Sequence, residues 1–201
     1  MPNVEIRGNN DLRKALRRFA PDLEKELRVE LRKALMPVVI QARGFAPSSS
    51  PMSGWAARPF SEARFPFYEQ STITKGIGLS TGPSKPNKNG FSAMATIYNA
   101  SQAGAIYETA GRKNPTGQPW VGPKAGGASK KYSRSSNPKA GAQFITNLPP
   151  LVFSREGVGR MLYRAWAANQ GVALGAAMTA ISNTKTMFYN RANTSALKKA
   201  A

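Results

Sequence analysis

Residues 21–47 read PDLEKELRVELRKALMPVVIQARGFAP, and this stretch decides the fold. Leu23, Leu27, Leu31 and Leu35 recur every fourth position, and Val38 or Val39 extends the stripe, which is the signature of a helix with one apolar face. Pro21 suits the first helical position, where its missing N–H is not needed. Lys25, Arg28, Arg32 and Lys33 fall off the stripe and can stay in water. Asp22/Lys25 and Glu24/Arg28 stand at i,i+3 and i,i+4 spacing, which favours ion pairing. Pro37 should loosen the last turn, and Gly44 and Pro47 end the helix.

Working outward, residues 3–7 have the alternation of a short strand. Asn9 or Asn10 offers an N-cap for a short helix carrying Leu12, Leu16 and Phe19 at helical spacing. Downstream, residues 46–70 hold four prolines, which exclude long regular structure. Their aromatics, Trp55, Phe60, Phe65, Phe67 and Tyr68, are too apolar for a free linker, so this loop is expected to be tied down or to meet a neighbouring subunit. Residues 71–110 read as strands: STITKGIGLSTG, then a turn rich in Gly, Pro and Asn, then FSAMATIYNA. The following AIYETA fits either another short strand or the start of a helix.

Residues 111–142 break every periodicity, and loops of this length in compact domains are usually functional or disordered. The apolar run QFITNLPPLVF (143–153) is expected to re-enter the core. A second long helix is expected from Val158 to about Asn183, with Leu162, Trp166, Ala173, Ala176, Ala177 and Ile181 on one face. The resulting class is α+β, a small antiparallel sheet packed against a long N-terminal and a long C-terminal helix, with a long irregular basic loop. Residues 1–183 read as one domain and 184–201 as a basic C-terminal tail.

Composition removes much chemistry. The 201 residues contain no Cys and no His, so thiol nucleophiles, cysteine zinc sites and imidazole bases are absent. There are 29 Lys plus Arg against 10 Asp plus Glu, a net charge of +19. Beyond the N-terminal helices the acids are Glu62, Glu69, Glu108 and Glu156, and no pair has the spacing that two-carboxylate catalysis needs. Glu108, on an apolar segment, is the best candidate for an unusual environment; a hydrolase built on it is the weakest of the functional classes, behind a plain salt bridge or interface contact. GIGLSTG lacks the GK[ST] ending of a phosphate loop. No nucleotide, metal or other cofactor site is legible. The N-terminus has no signal-like apolar core, and no run approaches a membrane span, so no membrane partner is expected.

The basic loop, with Lys113, Lys124, Lys130, Lys131, Arg134 and Lys139 interleaved with Trp120 and Tyr132, supports three readings. It is a track for a phosphate backbone, a solvated loop, or an arm lying on an acidic neighbouring protein. The last is preferred. Aromatics at 55–68 and at Phe188 and Tyr189 point to further subunit or neighbour contacts, because a monomer has little use for them.

The order of features resembles the HK97 gp10-like family of tailed-bacteriophage neck and tail-completion proteins. LRKALRRF precedes a long amphipathic helix that runs into Phe45-Ala46-Pro47. A loop and two strands follow, then Tyr107, Glu108 and Gly111 in AIYETAG, a variable loop and a closing helix. The family's Thr-Gly-x-Leu after Ala-Pro is stretched here to Ser48-Ser49-Ser50-Pro51-Met52-Ser53-Gly54-Trp55. Its proline-rich lead-in to the last helix is only loosely matched by Leu148-Pro149-Pro150-Leu151. The resemblance implies a structural virion protein without catalysis, made in the host cytoplasm and located in the neck or upper tail. It would form a homo-oligomeric ring, taken as a hexamer, between neighbouring neck and tail proteins and with non-specific contact to passing DNA. A tail terminator capping the tube and a basic, non-specific nucleic-acid-binding protein are the alternatives.

Overall fold

A proline sets the first break in the chain. Pro21 disfavours helical geometry at the residue before it, so Ala20 alone separates helix α1 (Asn9–Phe19) from helix α2 (Pro21–Gly44). The Ala20 N–H donates to Leu16 O at 2.8 Å, and the Glu24 N–H donates to Ala20 O at 3.3 Å, so the break leaves little backbone unanswered. Helix α2 runs through Pro37 and ends where Phe45 N–H donates to Gln41 O, just before Ala46-Pro47. This computed structural model describes residues 9–51, 55, 67–82, 84–90, 92–123, 132–154 and 157–200, with side chains omitted at 9–11 and 195–200. The expected strand at 3–7 lies outside them.

The remaining elements are α3 (Gln70–Gly76), β1 (Ile77–Ser80), β2 (Thr96–Asn99), α4 (Gln102–Thr109), α5 (Ala140–Thr146), β3 (Val152–Ser154), β4 (Gly157–Gly159) and α6 (Leu162–Ala200). Strand β1 pairs with β2, and β3 pairs antiparallel with β4 in the register Val152↔Gly159, Phe153↔Val158, Ser154↔Gly157. The class is α+β, with long helices near both ends of the sequence. No described helix is long and apolar enough to cross a membrane.

The chain divides into two compact units, Met1–Ile40 with Gly78–Tyr98 and Ala168–Ala201, and Gln41–Ile77 with Asn99–Ala167. The sequence alone favours one domain over 1–183. In the first unit the leucine stripe makes the core: Leu16, Ala20, Leu23, Leu27 and Leu31 are buried with Met94 and Ala180, and Leu12, Ala177, Ile181 and Phe188 pack against them. Each fully buried leucine contributes about 1.5–3 kcal/mol of transfer free energy. The expected stripe position Phe19 is instead 67% exposed. In the second unit the buried apolar side chains include Trp55, Tyr68, Ile73, Tyr107, Leu148, Met161 and Trp166.

Two local expectations change, and one open alternative is decided. Residues 70–76 are helical, although Thr72-Ile73-Thr74 favours strands. Thr74 Oγ1 donates back to Gln70 O at 2.9 Å and Gln70 Nε2 donates to Ala46 O at 3.2 Å, so side chains answer local carbonyls and only Ile73 needs burial. Residues 102–109 take the helical option because Ser101 Oγ accepts the Gly104 N–H at 3.1 Å, an N-cap. The last helix starts at Leu162 rather than Val158, because 157–159 are used as a strand, and it continues to Ala200 through the residues read as a tail.

Replacing Leu27 or Leu31 with Asp should unfold the first unit, since an unpaired charge would enter a closed core. Leu27→Ala should cost about 2–5 kcal/mol, read as a lowered urea midpoint, while Val29→Ala on the exposed side should stay within about 0.5 kcal/mol. Stable folding of Leu27→Asp by circular dichroism would show that the stripe does not form this core.

Candidate functional site

Among the described residues the two best-buried carboxylates organise two charged clusters, one in each unit. Glu108 on α4 is 3% exposed. Its Oε2 accepts the N–H groups of Met161 at 2.6 Å and Leu162 at 3.2 Å, and its Oε1 accepts that of Tyr163 at 3.1 Å. These are the donors that the start of α6 leaves without a helical partner, and a negative charge there also meets the positive end of the helix dipole. Close approach is possible because residue 159 is glycine: a Cβ at that position would overlap Glu108 Oε1.

The return contact comes from Arg160, also buried. Its Nη1 donates to Tyr107 O at 2.9 Å and Ala110 O at 2.8 Å, the carbonyls at the end of α4, and its Nε donates to Pro149 O at 2.5 Å. The acid of α4 therefore caps α6, and a cation next to α6 caps α4. Burial lowers the Arg160 guanidinium from its ordinary value, against the opposing pull of Tyr107 and Glu108, and burial raises the Tyr107 phenol. Gly111 follows at φ +86°, a left-handed turn that glycine enters without strain, with Ile145 behind it. Arg112 stacks over the Tyr163 ring at 4.9 Å.

This arrangement answers the sequence reading of Glu108. Its surroundings are unusual, but its oxygens hold backbone donors rather than a salt bridge or an open pocket. Two surface depressions are lined by residues of the first unit, and neither is lined by Glu108.

The second cluster surrounds Glu24 on α2, likewise buried. Arg28 donates to its Oε1 from Nε at 2.8 Å and Nη2 at 2.7 Å, Arg17 Nε lies 3.5 Å from it, and Arg13 Nε lies 3.8 Å from it. Arg13 is buried, donates to Thr81 O and to Met94 O, and has its guanidinium lowered by burial, against the pull of Glu24. Asp22 pairs with Arg191 of α6 at 2.5 Å, rather than with Lys25 as the spacing suggested, and that contact holds its carboxyl below the ordinary value. No group of three or more His, Cys, Asp and Glu among the described residues is placed to hold a metal.

The described side chains singled out in the sequence divide between buried and exposed positions. Trp55 and Tyr68 are buried inside the second unit, with ring centroids 5.1 Å apart; Tyr68 OH donates to Pro47 O at 2.6 Å, and Phe144 lies 5.5 Å from Trp55. That packing takes both off the surface and raises the Tyr68 phenol by burial. Phe67 is half-buried. Trp120 and Tyr132 are exposed, near a bridge in which Val121 N–H donates to Ser133 O at 3.0 Å and Trp120 Nε1 donates to Ser135 O at 2.9 Å. Phe188 packs on the leucine core, whereas Tyr189 beside it is exposed. Lys113 and Lys139 are exposed and Arg134 is half-buried. Phe60, Phe65, Lys124, Lys130 and Lys131 lie outside the described residues.

Sequence reasoning missed Arg160 and the Arg13–Glu24 cluster. The available signals were a cation set directly between an apolar glycine pair and a helix start, and a glutamate placed next to the leucine stripe. Comparison of the chain with protein-family models, with curated proteins and with solved structures returned no match.

Glu108→Gln should lower stability by about 1.5–3 kcal/mol, the range for a hydrogen bond to a charged group. Gly159→Ala should destabilise by overlap with the carboxylate. In the Glu108→Ala background the Gly159→Ala penalty should shrink, giving a coupling above about 1 kcal/mol in a denaturation double-mutant cycle. Additive effects would show that the carboxylate does not sit against Gly159.

Proposed function

We propose that this chain is a structural virion protein of a tailed bacteriophage, forming a homo-oligomeric ring in the neck that joins head to tail. The observation that carries the reading is the use made of Tyr107, Glu108 and Gly111, the segment on which the resemblance to the gp10-like family rests. Tyr107 is buried, Glu108 holds the start of α6 and Gly111 turns the chain. All three serve architecture, as a ring component would require.

Two features support it. The chain keeps large apolar and aromatic side chains in water, among them Phe19, Trp120, Tyr132, Phe153, Val172 and Tyr189, which suits a protein covered by neighbours. Its long loop supplies little buried surface where it is described: among the described positions from 114 to 140, Gly122 alone is buried. A cyclic assembly needs two different patches on each subunit, and a +19 subunit needs acidic neighbours or nucleic acid to relieve its charge.

Tailed particles made by the encoding genome should contain one ring's worth of this chain, counted by quantitative mass spectrometry. Hundreds of copies would make it a tube protein, and none would overturn the ring reading. Replacing residues 114–140 by a short Gly-Ser linker should leave thermal unfolding nearly unchanged while reducing incorporation into particles. An unfolded product would show that the loop belongs to the fold rather than to assembly.

A further inference from the structure

We infer that one flank of α2, formed by Lys25, Arg28 and Arg32 and extended by Arg17 of α1, is a docking track for a phosphodiester backbone. Charge on the outside of α2 is sorted by strip. Asp22, Glu26 and Glu30 repeat every fourth residue along one line, where Asp22 is paired with Arg191 and Glu30 with Lys33 at 2.7 Å. Lys25, Arg28 and Arg32 follow a separate line at spacings of three and four, so they share a face. With Val29 and Thr81 they line an open depression of about 310 Å³.

The flank is also built rather than merely charged. Glu24, buried beneath it, faces three guanidiniums, those of Arg13, Arg17 and Arg28. One carboxylate against three cations leaves a surplus of two positive charges, and Lys25 and Arg32 raise it to four. Glu24 meanwhile fixes Arg28 through both Nε and Nη2, so the head group is held in place before any ligand arrives.

A phosphodiester chain fits this surface better than an acidic protein does. Lys25 to Arg32 spans about 10.5 Å of helix, long enough to meet more than one phosphate of a strand. A protein partner would be expected to bury an apolar centre, and among the described residues the depression offers one apolar side chain, Val29, 50% exposed. Nucleic-acid interfaces need no such centre, since they are polar and strongly cationic on the protein side. Among the described residues no aromatic ring lines the depression, so the contact is with backbone and reads no sequence. The inference does not depend on the ring reading: copy counting in particles and titration of the free protein fail separately.

The test is fluorescence anisotropy of the full chain with a labelled mixed-sequence duplex across a salt series. Lys25→Gln/Arg32→Gln would be compared with Lys113→Gln/Lys139→Gln, which removes the same charge from the loop. All four side chains are exposed, and thermal unfolding would check that both variants remain folded. The helix pair should lower the slope of log K against log salt by about two, one for each phosphate no longer neutralised, and weaken low-salt binding at least about tenfold. The loop pair should change the slope by less than about half a unit. Absent salt-dependent binding by the parent, or a slope reduction that follows the loop pair, overturns the assignment. So does tighter binding of polyglutamate than of duplex at equal salt, abolished by Lys25→Gln/Arg32→Gln, which would make an acidic protein the occupant.

Discussion

A helix as long as α6, 39 residues, begins with backbone donors that its own turns cannot satisfy. Here one carboxylate from a distant part of the sequence accepts three of them, and Arg160 at the same junction returns the favour to the carbonyls closing α4. Together these bonds fix where α6 starts. They also explain why position 159 is glycine, since any side chain there would occupy the space of the Glu108 carboxylate. Buried charges on this scale are tolerated only when paired and hydrogen-bonded. Both members of this pair meet that condition with backbone groups.

Glu24 is the counterpart in the other unit, with a different balance. Glu108 is answered mainly by backbone amides, so its environment closes on itself. Glu24 is answered by guanidiniums that outnumber it, so the cluster presents net positive charge outward. In a chain with 10 acids and 29 bases, the two buried acids among the described residues are matched by two buried cations, Arg13 and Arg160, so the positive surplus stays on the surface. Long-range fields of this kind govern encounter and partner choice rather than the fold.

Much of the architecture was legible because it rests on periodicity. Leu23, Leu27 and Leu31 show their face by spacing, and Pro21 shows where the helix begins. Residues 70–76 were misread because β-branched side chains bias a local reading toward strands, while Thr74 satisfies its own turn by bonding back to Gln70. The β3–β4 hairpin was missed because three-residue strands carry almost no alternation. Trp55 and Tyr68 looked like contact residues because composition records that a loop is aromatic, not that Phe144 and the Pro47 carbonyl will meet it. Arg160 was invisible for a similar reason: its partners, Tyr107 and Ala110, lie some fifty residues upstream.

The leucine stripe near the beginning of the sequence closes against Ala177, Ala180 and Ile181, with the whole second unit encoded in between. At the usual elongation rate of about 5–20 residues per second, roughly 6–25 s separate the synthesis of Ile40 from that of Ala168. Throughout that interval Leu16, Leu23, Leu27 and Leu31 emerge from the ribosome without the helix that covers them. During translation, therefore, this amphipathic segment waits with its apolar face unpacked until α6 has been made.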